Sequence, residues 1–205
     1  MLKIYKIGGG IIDNQVELSD FLHLFSQEKS PKILVHGGGK GASKLLQQLG
    51  IEPKMVDGRR ITDQETLNVV TGLYAGNINK SIVAQLQKFN INALGLSGAD
   101  ANCITATKRP VHTIDYGFVG DLDEKSVDAA RLQSFIESNL TPVLCAITHD
   151  KKGNLYNTNA DTIASQVAIA LSKFYQVELN FCFDKVGVLR DINDDSSLIS
   201  SINNK

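Results

Sequence analysis

From end to end, this chain alternates short apolar runs that stop at glycine or a polar turn with longer stretches whose apolar residues recur at helical spacing. That alternation constrains the fold more than any other feature. Strands connected through helices run parallel, and a parallel sheet needs helices on both faces. Leu2 to Ile7 alternates as a strand and is broken by Gly8-Gly9-Gly10, and Val16 to Glu28 then sets Leu18, Phe21, Leu22 and Phe25 at helical spacing. Lys32 to Val35 is a short apolar strand followed at once by His36-Gly37-Gly38-Gly39, and a helix is expected from Lys40 to Leu49 with Leu45, Leu46 and Leu49 inward. Asp57-Gly58 between Met55-Val56 and Ile61 signals a hairpin. Thr62 or Asp63 stands where it can cap a further helix, which the Ala75 to Asn79 stretch is expected to interrupt. Ile91 to Leu96, Pro142 to Ile147 and Val177 to Phe183 read as strands, Ser126 to Glu137 and Ala160 to Ser172 as helices, and Cys103 to Asp121 as hairpins over one end of the sheet. The last stretch, Asp191 to Lys205, is polar and weakly periodic. The expected fold class is α/β, a three-layer αβα sandwich with a mostly parallel central sheet. In such sheets ligands gather at the carboxyl ends of the strands, where both glycine runs fall.

Length and composition set the outer bounds. A chain of 205 residues fits one domain, and 42% hydrophobic with 21% charged residues is the balance of a soluble globular protein. The formal net charge is −1 with no Lys/Arg-rich run, so nucleic acid is not an expected partner and any positive charge for an acidic substrate must be local. Cys103, Cys145 and Cys182 are far apart and form no CxxC pair, which points to buried free thiols in a reducing compartment and to no metal site. The start of the chain has no signal-peptide core, and no apolar run reaches membrane-spanning length. A cytoplasmic setting without a membrane partner is therefore expected.

The chemistry concentrates at four places. The two triple-glycine runs each follow a strand, where close backbone approach and consecutive amides suit a phosphate, although a pair of tight strand-to-helix turns needs the same residues. The helix after Gly39 adds a positive dipole end. Neither run is a Walker A loop. Gly37-x-Gly39-x-x-Ala42 meets a loose dinucleotide fingerprint, but consecutive glycines meet it cheaply and no acidic residue is well placed to complete it. Lys6, at the end of the first strand, can reach a phosphate as a point charge. Arg60, beyond the hairpin signal, can grip a carboxylate with two parallel hydrogen bonds; alternation turns Arg59 the opposite way, and spacing alone does not choose between them. Asn157-Thr158-Asn159-Ala160-Asp161 opens a long apolar helix with more polar side chains than capping requires. His36 follows a buried strand and is at least as well explained as a hydrogen-bonded structural histidine as a base. Ser97 has no base partner in sequence, so its loop reads as a lid or dimer element.

Taken together, Lys6-Ile7-Gly8-Gly9, Val35-His36-Gly37-Gly38-Gly39, Asp57-Gly58-Arg59-Arg60-Ile61-Thr62 and Asn157-Thr158-Asn159-Ala160-Asp161 resemble, in order and spacing, the acetylglutamate kinases of the amino-acid kinase family. The resemblance covers nearly the whole chain. It implies ATP-dependent phosphorylation of the γ-carboxylate of N-acetyl-L-glutamate in arginine biosynthesis, with Mg2+ on the nucleotide. It implies Lys6 as the lysine at the transferring phosphoryl group and Asp161 as the organiser of catalytic lysines. Gly9, Gly38 and Gly39 would be backbone donors, with Gly8 beside them. Arg60 would hold the substrate α-carboxylate, with Asn157 and Asn159 as further acceptor contacts. Asp184, Lys185, Gly187, Val188 and Leu189 would begin the ATP-binding half, so that about 1–175 is the acyl-amino-acid half and about 176–205 the start of the other. The family's chain continues beyond this point with a second catalytic lysine, and the absence of an extra N-terminal helix implies the arginine-insensitive homodimeric type. A succinylated acceptor and a catalytically silent metabolite-binding homologue remain alternatives, with a dinucleotide-dependent oxidoreductase behind them. No general base is required, because a carboxylate nucleophile is ionised at neutral pH.

Overall fold

The computed structural model describes residues 1–38, 40–56, 59–183, 187–191 and 193–201. The first strand, β1 (Leu2–Ile7), shows how the layers arise: alternation sends Leu2 and Ile4 into one core and Ile7 into the other. The helix α1 (Gly9–Asp13) starts directly on the glycine run, and α2 (Gln15–Gln27) follows, its first amides at Val16 and Glu17 accepted by the Asn14 side chain. The next strand, β2 (Lys32–His36), is buried along its length, as a central parallel strand must be. In α3 (Gly41–Gln48), Ala42 and Leu46 are buried and Leu45 is half-buried. Leu49 was expected inward but is 58% exposed, because the helix stops at Gln48 and Leu49 is its C-cap.

The hairpin expected around Asp57-Gly58 is present as β3 (Met55–Val56) and β4 (Arg59–Arg60), paired antiparallel; the two turn residues lie outside the described residues. Asp63, rather than Thr62, caps α4 (Gln64–Thr71) by accepting the Thr66 amide at 2.8 Å. The expected interruption at Ala75 to Asn79 does not occur. The chain stays helical through a π-helical segment, Gly72–Ile78, and runs on into α5 (Asn79–Lys88). Two glycines and a change of hydrophobic phase mimic a break in sequence, whereas the structure absorbs them by widening the helix.

The remaining elements are β5 (Ala93–Leu96), β6 (Thr107–Lys108), β7 (Val119–Asp121), α6 (Ala129–Glu137), β8 (Thr141–Cys145), β9 (Ile147–His149), β10 (Leu155–Thr158), α7 (Ala160–Leu171) and β11 (Val177–Cys182). The single strand expected from Pro142 to Ile147 is divided at Ala146, and its two parts belong to different sheets. The main sheet is parallel with order β11-β1-β2-β8-β5. A second, mixed sheet of order β6-β7-β10-β9 lies at its carboxyl end, where Thr158 donates its amide to Ala146. One core packs α4, α6 and α7 on the main sheet through Leu67, Leu132, Ile163 and Val167. The other packs α2 and α5 through Leu22, Phe25, Ile82 and Leu86. Each such leucine or isoleucine, fully withdrawn from water, contributes about 1.5–3 kcal/mol. The expected αβα sandwich is therefore the observed one. No helix among the described residues is long and apolar enough to cross a membrane.

Candidate active site

Lys6 shares the face of Leu2 and Ile4, which is the face α7 covers. There its Nζ meets Asp161 Oδ1 at 2.8 Å. Asp161 lies in the first turn of α7, where the helix dipole favours a carboxylate. Its side chain is 54% exposed against 16% for Lys6, so the pair contributes at most about 1 kcal/mol to stability. Its effect is to fix the ammonium at the end of β1. Asn159 is the N-cap of α7, its Oδ1 accepting the Thr162 amide at 3.0 Å. Asn157, on β10, donates to the Thr62 hydroxyl at 3.1 Å, which ties the second sheet to the residue ahead of α4. Gly8 does not offer its amide to a ligand, because β11 runs alongside and the Cys182 carbonyl accepts it at 2.8 Å. Gly9 opens α1, which has no side-chain cap, and the amides of a first helical turn have no intrahelical partner.

A cleft of about 270 Å³ is walled by Gly37 and Gly38 after β2, by Arg59, Arg60 and Tyr74, and by Asn157 through Ala160. Arg60 Nη2 donates to the Ser43 hydroxyl at 3.0 Å. Its Nη1 is buried and, among the described residues, has no hydrogen-bond partner. A guanidinium nitrogen in that state lacks an acceptor that a bound carboxylate would supply. Arg59 also borders the cleft, but its side chain is exposed. Tyr74 reaches in from the π-helical segment, 6% exposed; burial pushes its phenol up, with the Arg60 guanidinium opposing. Its ring lies flush on Gly38: a Cβ there would stand 1.6 Å from Tyr74 Cε1. Arg109 lines the far side, held by both carboxylate oxygens of Asp121, through Nε at 3.0 and 3.2 Å and through Nη2.

His36 sits beneath the cleft floor as a neutral structural residue. The Asn79 amide nitrogen donates to the Val143 carbonyl at 2.9 Å, and Lys80 Nζ donates to the Asn79 oxygen, which fixes the amide's orientation. The same nitrogen lies 3.0 Å from His36 Nε2, so that ring atom accepts, and Nδ1 carries the proton to the Gly37 carbonyl at 2.9 Å. Burial brings the imidazole down to about 4. Cys103 and Cys145 are free and buried, their thiols pushed up to about 12 by burial, and Cys182 is also free. Ser97 is bound within its own loop, amide and hydroxyl both donating to Asp100 at 2.6 and 2.7 Å.

The structure thus brings Gly38, Arg60, Asn157 and Asn159 into one cleft; Lys6 and Asp161 do not line it, although Asp161 directly follows Ala160, which does. Gly39, Asp184 and Lys185 lie outside the described residues. Gly187, Val188 and Leu189 do not line the cleft; they form a turn closed on 197–199, with Ile199 donating to the Val188 carbonyl at 2.8 Å and Leu189 bridging Leu198. Tyr74 and Arg109 were not foreseen. Tyr74 continues the helical spacing of Leu67 and Val70, a signal that the supposed break at Ala75 obscured.

A lysine at a strand end, glycine turns and an arginine-lined cleft over a parallel sheet are features that suit a kinase for small molecules. Residues 1–205 match the profile of the amino acid kinase family, and the chain belongs to that family. It is 54% identical over 201 residues to an acetylglutamate kinase of Parabacteroides distasonis, covering 98% of this chain and 78% of the relative. An acetylglutamate kinase of Bacteroides fragilis is 52% identical over 202 residues, covering 98% of this chain and 77% of the relative. Among solved structures, the smu.665 protein of Streptococcus mutans superimposes with a TM-score of 0.78 at 23% identity, over 92% of this chain and 74% of that one, a likeness of fold.

Proposed function

We propose that this chain transfers the γ-phosphoryl group of ATP to the γ-carboxylate of N-acetyl-L-glutamate, forming an acyl phosphate and ADP in arginine biosynthesis. The observation that carries this reading is the buried Nη1 of Arg60, unpartnered among the described residues, in a cleft lined by Asn157 to Ala160, the residue before the Asp161 that pairs with Lys6. Arg60 receives the α-carboxylate, and the Asn157 and Asn159 amides orient the rest of the acceptor. A γ-carboxylate oxygen then forms a bond to the γ-phosphorus while the bond to the β–γ bridging oxygen breaks, the electron pair leaving with ADP. Both reactants are anionic, so the protein's task is alignment and charge neutralisation. Lys6 supplies positive charge to the phosphoryl oxygens, and Asp161 keeps the ammonium in place between turnovers. Gly9, Gly38 and Gly39 supply backbone donors.

In this reading Mg2+ accompanies the nucleotide phosphates, and no step is assigned to it. Residues 1–175 act as the acceptor half, and 176–205, with Asp184, Lys185 and Gly187 to Leu189, begin the nucleotide half. A homodimer in the cytoplasm completes the reading.

The test is an ATP-dependent acyl-phosphate assay that traps product with hydroxylamine, offering N-acetylglutamate, N-succinylglutamate, free glutamate and aspartate. Turnover highest on N-acetylglutamate is the expected result. Higher turnover on the succinyl compound would correct the acyl group, and none on any acceptor would overturn the kinase reading.

A further inference from the structure

The two glycine loops are joined by a side chain that neither loop contains. Asp13 ends α1, and its carboxylate accepts the Lys40 amide at 2.8 Å through Oδ2 and the Gly41 amide at 3.2 Å through Oδ1. Those amides belong to the N-cap and first residue of α3, which has no cap from a side chain of its own N-cap residue. An anion is therefore already seated where the dipole of α3 is positive. This differs from the sequence expectation, in which that helix end was available to a phosphate. At their roots the loops are fixed by strand pairing, Ile7 opposite His36. Beyond the glycines, the Asp13 carboxylate links the end of α1 to the start of α3. Asp13 itself is exposed, so apolar burial does not drive the contact.

We infer that Asp13 is a positioning residue for phosphoryl transfer: it sets the separation of the loops after β1 and β2, and it withholds the N-terminus of α3 from the transferring phosphoryl group. The inference rests on the proposed kinase reaction. Donors on both loops must address one phosphoryl group, so their spacing enters the transition state more than the binding of either substrate.

The test compares Asp13→Ala and Asp13→Asn with the parent at a temperature where all three are folded by circular dichroism. Asp13→Ala is expected to lose about 10- to 100-fold in kcat, with KM for ATP and acceptor each within about threefold of the parent. Asp13→Asn, which keeps one oxygen acceptor, falls between. A merely structural role would lower the melting temperature and leave kcat intact. Independently of turnover, the amide resonances of Lys40 and Gly41 are followed during titration with inorganic sulfate. They stay fixed in the parent and shift saturably in Asp13→Ala, where the helix end is freed. A kcat for Asp13→Ala within about twofold of the parent, or equal sulfate shifts in parent and variant, would overturn the inference. A parent inactive on every acceptor sinks the kinase reading instead, and the sulfate titration then still decides whether Asp13 guards α3.

Discussion

The contact between Gly38 and Tyr74 allows a quantitative test of how the acceptor cleft is built. An alanine Cβ at 38 would lie 1.6 Å from Tyr74 Cε1, 2.3 Å from Cζ and 2.4 Å from Cδ1. Carbon atoms in contact prefer about 3.5–4.0 Å, so the ring or the loop must move by about 2 Å. Tyr74 is 6% exposed and packed in the core, so it cannot swing away freely. Gly38→Ala is expected to cost about 1–3 kcal/mol, the range for overpacking a well-filled site. Tyr74→Ala alone should cost about 3–5 kcal/mol as an aromatic truncation. In that background the ring is gone, and Gly38→Ala should become nearly free. Urea unfolding of the parent, both single variants and the double variant would give a coupling of about 1–3 kcal/mol, with unchanged slopes. Additivity within about 0.5 kcal/mol would refute the packing argument, because the cost at position 38 would then have nothing to do with the ring.

Lys6→Ala should lower kcat by about 100-fold or more through loss of charge at the transferring group, while the melting temperature changes little because the partner it leaves, Asp161, is 54% exposed and remains solvated; steady-state kinetics with thermal melting reads both. Arg60→Lys should raise the acceptor KM by about 10- to 100-fold with a smaller effect on kcat, since an ammonium cannot reproduce the paired guanidinium contact, and acceptor titrations would measure it. Stability should also respond to His36. Its folded value of about 4 lies below the ordinary 6.5, so the unfolded chain binds more protons between them. The contribution is fully present above pH 6.5 and is lost progressively as pH falls toward 4, amounting to about 2–3 kcal/mol by pH 4.5. Glu28 and Asp150, held at about 2 by hydrogen bonds from Lys3 and Asn154 first of all, lose theirs in a lower window. Urea titrations at pH 7 and pH 5 should therefore differ in the parent and converge in His36→Asn.

Much of the architecture was legible because parallel sheets bury whole strands and the intervening helices keep one apolar stripe. Leu2 to Ile7 and the Leu18, Leu22, Phe25 face of α2 sit as periodicity placed them. Lys6 and Asp161 were legible as members of motifs, but only the folded chain brings residues so distant in sequence to 2.8 Å. Arg60 is more buried than Arg59, a tertiary difference that two adjacent arginines do not declare. The roles of Tyr74 and Asp13 were not legible at all. One depends on a helix widening where glycines suggest an end, and the other on the end of α1 meeting the start of α3. Leu49 shows the converse failure, since helical spacing continues on paper past the residue where the helix stops.

The helix from Gln64 to Lys88 carries a counting problem within it. Tyr74 and Asn79 are both buried although five positions separate them, an interval that the wide segment between Gly72 and Ile78 brings back to one side. Chain length here acts as a phase setting between two half-helices. Removing one residue from Gly72–Ile78 would hardly alter composition, yet it would rotate everything downstream by about 100°. Ile82 and Leu86 would turn out of their core, and the amide that fixes the His36 tautomer would face elsewhere. Insertions and deletions in that stretch should therefore be far less tolerable than substitutions, and a relative that shortened it would have to rebuild the cleft and the core together.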